Sequence, residues 1–297
     1  MLKFVSRLTP KKNISFVYAK RFQFAGSTVM RGQQLYELAK STFPNYKIAY
    51  APSDTRFKNS TLFLSKGVIN TASPGQLEQL KKDGNKLIFD IVDGVLPDYT
   101  KDFVDTIVAA SQSAYLAYKR DYPSIRVIKV DHHVDPRIRR LKPQKINNIK
   151  IGYFGEPTNT IISPKISKYV DFVHIDTSKQ EDDWLKKLPK YNMHYAVRAK
   201  TPAGRHKPFL KGFTAAYCDS NIIIQRSNAE AVYWLGDDYP YLIDDPVNES
   251  NIIEHILYAM KSYNSAEWHR GLEAMARLRN NVSDITISEQ LRELFSQ

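Results

Sequence analysis

Short apolar runs alternate along the chain with stretches of helical spacing. The run ISFVYA at 14–19 reads as a buried strand. Gly26-Ser27 follows, and 29–40 carries Leu35, Leu38 and Ala39 on one helical face. Strand, glycine turn and helix in that order open a doubly wound α/β unit. Further strands are predicted at 47–50, 61–64, 86–92, 106–109 and 126–130, with helices at 74–82 and 113–120. Ser73-Pro74 is a helix start signal and Gly84 a stop. The pattern begins again with a strand at 149–154, then Gly155 and a helix near 164–169. Strand 171–175, helix 181–187 and strand 193–197 come next. Strand 222–224, helix 228–235 and strand 239–243 follow, and helices at 249–261, 266–278 and 288–295 close the chain. The expected fold class is therefore α/β: two successive units with mostly parallel sheets and a helical tail.

Between the units, RIRRLKPQKINNIK at 137–150 is polar, basic and broken by proline. It is expected to be an interdomain linker, or else an arm that binds nucleic acid, although no aromatic residues are interleaved for base stacking. Charge is uneven elsewhere too. No Asp or Glu occurs between Asp183 and Asp219, and that interval holds Arg198, Lys200, Arg205, His206, Lys207 and Lys211. Pro208 suits the first turn of a helix, with Lys207, Lys211 and Thr214 on one stripe and Phe209, Phe213 and Tyr217 on another. A helix N-terminus among lysines is a place for a phosphate, and a solvated basic loop before an ordinary amphipathic helix is the plainer alternative.

The whole chain of 297 residues carries a formal net charge of +12. That favours a polyanionic partner: ligand phosphates, nucleic acid or an anionic lipid surface. The length suits two domains with ample core. The single Cys218 excludes an internal disulfide and is expected to pack within a helix. No apolar run approaches the ~20 residues of a membrane span, and the basic first dozen residues lack the apolar stretch of a signal peptide. The expected location is the cytoplasm, with peripheral contact at the inner membrane face.

In open α/β sheets ligands sit beyond the carboxyl ends of the strands. Residues just after predicted strands are thus the candidates: Gly26 and Ser27, Asp90 and Asp93, Asp131, His132 and His133, Gly155 and Glu156, Arg198 and Lys200, and Arg226, Ser227 and Asn228. Acid and imidazole come from the first unit and cations from the second. Asp93 either caps the Asp93-Gly94 turn or orients an acceptor hydroxyl. Asp90, inside an apolar strand, is expected to be structural. His132 or His133 is a candidate contact to ligand or acceptor. No CxxC, HExxH, DxD, GxSxG, P-loop or GxGxxG pattern is present, so a dedicated metal site is not expected.

Four passages together resemble a nucleotide-sugar-dependent glycosyltransferase of the GT-B type: FAGSTVMRGQQLYELAK (24–40), VIKVDHHVDPRI (127–138), NIKIGYFGEPTNT (148–160) and KPFLKGFTAAYCDSNIIIQRSNAEAVYWLGDDYPYLIDD (207–245). The resemblance implies two Rossmann-like domains facing a central cleft: an acceptor domain at 1–142, a donor domain at 146–280, and a helix at 281–297 crossing back onto the first. It implies a nucleotide-diphospho-sugar donor, UDP- or GDP-linked, and a glycan or other hydroxyl acceptor, as in surface glycan or lipid-linked saccharide synthesis. Gly26, Ser27 and Gly155 would face the donor. Arg198 and Lys211 would meet its diphosphate with help from Lys200 or Lys207. The turn Ser227-Asn228 would bring N–H groups to the phosphates, and Glu230 would lie near the ribose or sugar. Asp93 and His132 would serve on the acceptor side. Such enzymes commonly need no metal ion, since protein cations neutralise the leaving diphosphate.

The chain departs from the family where retaining members carry two glutamates eight residues apart; here those places hold His206 and Thr214. The glycine pair after the donor-domain strand is replaced by Ser227-Asn228. A nucleic-acid-binding protein led by Arg137, Arg139, Arg140, Lys142 and Lys145, or an enzyme glycosylating DNA bases, is the alternative reading. A sugar-phosphate epimerase or phosphorylase-like enzyme is a third, with no identifiable pyridoxal lysine for the latter.

Overall fold

The structure is a computed structural model that describes residues 12–175, 182–199, 206–245 and 247–296. Lys200 lies outside the described residues. Six strands make the first sheet: β1 (Asn13–Tyr18), β2 (Lys47–Pro52), β3 (Thr61–Ser65), β4 (Lys86–Asp90), β5 (Thr106–Ala109) and β6 (Arg126–Lys129). All pair in parallel, in the order β2-β1-β3-β4-β5-β6. Alternate side chains face opposite layers, as the period of a strand requires. Val17, Leu62, Leu64, Leu87, Phe89 and Ile107 pack in one core, beneath α2 (Lys66–Ile69), α3 (Pro74–Lys82) and α4 (Gln112–Asp121). Phe16, Phe63, Ile88 and Val108 pack in the other, beneath α1 (Leu35–Thr42).

The second sheet holds β7 (Ile151–Gly155), β8 (Val170–His174), β9 (Met193–Tyr195), β10 (Asn221–Gln225) and β11 (Leu242–Ile243), ordered β11-β10-β9-β7-β8 and again parallel. Its helices are α5 (Asp183–Lys187), α6 (Leu210–Tyr217), α7 (Ala229–Leu235), α8 (Glu249–Lys261) and α9 (Ala266–Asn281). Side-chain caps start several of the helices: Ser73 with Gln76 in a capping box for α3, Ser111 for α4, Asn228 for α7, Asn248 for α8 and Ser265 for α9. The last helix, α10 (Asp284–Phe295), leaves the second lobe and returns to the first. There Ile287, Leu291, Leu294 and Phe295 enter the core around Phe16. Gln290 fixes it further by accepting from the Asp131 N–H at 2.8 Å and donating to the Asp131 carboxylate at 2.8 Å.

Several expectations differ from what is observed: the strand predicted at 86–92 stops at Asp90, and Pro208 precedes the N-cap Phe209 of α6 instead of lying in its first turn. The helix near 164–169 is a single 3-10 turn, Ile166–Lys168, because β8 begins two residues later and leaves no room for more. The strand at 239–243 is reduced to Leu242–Ile243, since Pro240 has no N–H to give a ladder. The first helix opens as a π-helical segment, Thr28–Gln34, before becoming α-helical at Leu35. The basic stretch 137–150 is also more than a tether. Ile138 is buried in the second lobe's core, where Val134 joins it. Arg137 pairs with Asp135 and Asp182, and Arg139 pairs with Asp284.

Leu291→Ala removes a fully buried side chain from the returning helix. A loss of about 2–5 kcal/mol in unfolding free energy is expected from urea denaturation.

Candidate active site

Most of the described candidate residues stand at or just beyond the carboxyl ends of the strands. On the first lobe, β4 ends at Asp90 and the chain turns through Ile91, Val92, Asp93 and Gly94, closed by the Gly94 N–H donating to the Ile91 carbonyl at 2.9 Å. Val92 has φ 57°, a left-handed conformation that a β-branched residue adopts only under constraint, at a cost of about 1–3 kcal/mol. Asp93 follows it. Its carboxylate, about one-fifth exposed, accepts from the Lys66 ammonium at 2.6 Å. Lys66 itself stands directly after β3.

β6 ends at Lys129, and the turn that follows carries His132 and His133 inward, both buried. The His132 Nδ1 lies 3.0 Å from the His133 carbonyl, a partner that can only accept. The ring is therefore protonated at Nδ1 and presents a free lone pair at Nε2. Burial, aided by the nearby Arg31 charge, lowers its pKa to about 3, while the Asp93 carboxylate pulls the other way. The ring is neutral near pH 7. His133 is held by Gln34 at 2.9 Å from its Nε2, and burial likewise keeps it neutral. Gln34 and Arg31 both belong to the π-helical segment, a form often found at functional sites. Gly26 and Ser27 stand just ahead of it. A methyl group built on Gly26 would meet nothing within 4 Å, so no protein atom there requires glycine.

On the second lobe, cations crowd the ends of β7 and β9. The Lys211 ammonium, carried on the first turn of α6, donates to the Phe154 carbonyl at 2.6 Å and lies 4.1 Å above the Tyr153 ring centroid. Burial lowers its pKa to about 8; Arg198 and Lys207 push in the same direction, and Glu156 opposes them. Gly155 has φ 149°, and a Cβ there would fall 2.8 Å from the Lys211 ammonium. The backbone conformation favours glycine there, and a Cβ would displace the Lys211 ammonium. Arg198 is half-buried: desolvation lowers its pKa, and the Asp93 carboxylate of the other lobe raises it. That coupling places Asp93 and Arg198 within electrostatic reach of each other between the lobes. Ser227 is exposed, and the Asn228 side chain accepts from the Ala231 N–H, capping α7. Arg226 is drawn to Asp244 at 2.5 Å and to the Asp237 carbonyl at 2.7 Å.

The resemblance puts Glu230 near a ribose or sugar. Here its buried carboxylate reaches across to the first lobe and accepts from the Ser113 N–H at 2.7 Å and the Gln112 N–H at 3.3 Å. A carboxylate at the start of α4 also meets the positive end of that helix dipole. The same seam contains Ser111, whose hydroxyl donates to the His206 carbonyl at 3.0 Å, and Lys129, whose ammonium donates to the Tyr233 hydroxyl at 3.3 Å. Sequence reasoning did not single out Arg31, Gln34, Lys66 or Lys129. A signal existed for Lys66, a cation directly after an apolar strand. None existed for Arg31, because helical spacing does not foresee a π segment.

Two parallel α/β sheets, of six and five strands, superpose on known glycosyltransferase structures over nearly the whole chain. The chain has the GT-B fold. A glycosyltransferase from Rickettsia africae superposes with a TM-score of 0.67 at 12% identity, covering 97% of this chain and 98% of that one. Anabaena HepE in complex with UDP and glucose gives 0.61 at 11% identity, over 96% of this chain and 100% of that one. The GtfA/B complex gives 0.58 at 9% identity, over 81% of this chain and 57% of that one. By sequence, the chain matches no family model and no curated protein.

The nucleic-acid alternative finds no support. Its leading arginines, Arg137 and Arg139, are engaged in ion pairs with Asp135, Asp182 and Asp284. No helix among the described residues is long and apolar enough to cross a membrane. No group of three or more His, Cys, Asp or Glu among them is placed to hold a metal ion.

Glu230→Ala would leave two amides of α4 without their carboxylate. Unfolding free energy is expected to fall by about 2 kcal/mol, and the small-angle scattering distance distribution to broaden. An unchanged profile would assign the seam to Ser111 and Lys129 instead.

Proposed function

We propose that this chain transfers a sugar from a nucleoside diphosphate sugar to an acceptor hydroxyl, the crevice between the lobes being the active site. The observation that carries the reading is the electrostatic coupling of Asp93 from the first lobe with Arg198 of the second, whose charge, like that of Lys207, acts in turn on Lys211. In our division of labour, residues 1–142 receive the acceptor, 146–280 bind the donor, and 281–297 tie the two. The acceptor oxygen attacks the anomeric carbon, the bond from that carbon to the β-phosphate oxygen breaks, and the diphosphate leaves with the bonding pair. Arg198, Lys207 and Lys211 neutralise the charge that develops on it, so the transfer proceeds without a metal ion. Lys200 and Gly155 belong to the same donor subsite, Gly155 letting the phosphate approach the end of β7. Gly26 and Ser27 face it from the first lobe, Ser227 and Asn228 from the turn after β10. Asp93 orients the acceptor hydroxyl, and the lone pair of the neutral His132 is the second acceptor for its proton.

UDP is the favoured nucleotide, since structures with this fold were solved with UDP, and Anabaena HepE with UDP-glucose. Glu230 comes to the ribose only by leaving or sharing the α4 amides. The acceptor we favour is a glycan or lipid-linked saccharide.

Isothermal titration with UDP and GDP is expected to show binding of UDP in preference. Arg198→Ala and Lys211→Ala are each expected to weaken it on the order of tenfold or more, the loss of a charged contact to phosphate. Parental affinity in both variants would remove the assignment.

Lys211 gives a pH dependence of definite sign. A depressed lysine holds its proton below about 8 and loses it above, and the bound diphosphate needs the charged form. UDP affinity is therefore expected to be level near pH 7 and to fall, by up to on the order of tenfold per unit, as pH rises beyond the free protein's value. The Lys211→Ala protein should bind more weakly at neutral pH and show no such decline up to pH ~9.

A further inference from the structure

We propose that Arg31 and Asp90 are positioning residues for Asp93, holding Val92 in its left-handed conformation so that the carboxylate after it stands at the crevice. The inference rests on the reading of Asp93 as the acceptor-side group. The turn Ile91-Val92-Asp93-Gly94 has positive φ at its first central residue and not at its second, the pattern of a type II′ turn, where glycine is the usual occupant. Valine there breaks a local rule, and such violations persist only where surroundings over-determine them.

The surroundings are specific. One Asp90 oxygen accepts the Val92 N–H at 3.1 Å, and the other accepts Nε–H of Arg31 at 2.7 Å. Both oxygens face N–H donors, so the group is the carboxylate; burial pushes its pKa up, and the Arg31 guanidinium opposes that. Arg31 in turn donates from Nη1 to the Asp131 carbonyl and from Nη2 to the Val130 carbonyl, each at 2.9 Å, and is wholly buried. The chain of contacts therefore runs from the end of β6 through Arg31 and Asp90 to the backbone of Val92, and so to Asp93. The Lys66 ammonium donates to the Asp93 carboxylate at 2.6 Å. Neither Arg31 nor Asp90 needs to touch a substrate to decide where Asp93 points.

Asp90→Asn tests this. An amide offers one acceptor oxygen, so its NH2 must face either Arg31 or the Val92 N–H, and one of the two contacts is lost. In a crystal structure of the full-length variant, Val92 is expected to leave positive φ and Asp93 to part from Lys66. UDP affinity is expected to stay within about twofold, since the donor lobe is untouched, while turnover of UDP-glucose at saturation falls roughly 30-fold with KM unchanged. Asp90→Asn with Val92→Gly is expected to regain most of that rate, because glycine adopts the turn unaided. It should not regain thermal stability. A merely structural role for Asp90 predicts no such separation. Coordinates of the variant with Val92 and Asp93 unmoved would overturn the proposal, as would failure of Val92→Gly to restore turnover. If Asp90→Asn does not fold, Arg31→Lys, which keeps the charge but cannot reach all three acceptors, is read the same way. A parent protein that binds no UDP would sink the donor assignment, and the variant's coordinates would still decide the positioning claim.

Discussion

A guanidinium with no access to solvent supports the first lobe's side of the crevice. Burying the Arg31 charge is tolerable only because a carboxylate and two carbonyl oxygens receive it, all at the ends of β4 and β6. Removing one member of such a set leaves an uncompensated charge in the interior, commonly at a cost of about 3–5 kcal/mol. The arrangement therefore constrains everything around it. The turn carrying Asp93 and the turn carrying the two histidines are both anchored to the same short π-helical segment, one through Arg31 and the other through Gln34. That one segment thus anchors both turns, and the Asp93 carboxylate acts electrostatically on the His132 ring.

The second lobe works by the opposite device. Many surface cations of this basic chain are paired locally, as Lys20 is with Asp54 and Lys81 with Asp105. Around β7 and β9, in contrast, burial and the charges of Arg198 and Lys207 lower the pKa of Lys211, which holds its proton loosely. Crowded like charges in a half-buried place destabilise a folded chain, and an incoming anion relieves them. In the function we propose, that relief is supplied by the donor diphosphate. Tyr153 and the Phe154 carbonyl keep the ammonium in place meanwhile.

Between the lobes, the contacts described are chiefly polar. Glu230 on the α4 amides, Ser111 on the His206 carbonyl and Lys129 on Tyr233 are few, specific and exchangeable for water or ligand. Polar interfaces of this kind permit relative motion of domains, whereas the apolar contact of α10 with the first lobe does not. The chain thus combines a fixed tie at its end with a breakable one at the crevice.

Much of the architecture was legible in the residues. Buried parallel strands are continuous apolar runs, and LIFD, TIVA and NIIIQ announce themselves whatever surrounds them. The break at 137–150 and the cations of 198–211 were visible for the same reason: local composition needs no partner to be read. Four decisions belonged to the tertiary structure. It gave Arg137 a partner in Asp182 and Arg139 one in Asp284, both from remote segments. It turned Glu230 toward α4. It put valine in a glycine's turn. It buried Arg31. Each depends on what a side chain meets across the fold, and periodicity along one strand or helix carries no record of that. The chain's own order determined where strands and helices stand; which charges cancel, and which are left facing the crevice, was decided only when the sheets were brought together.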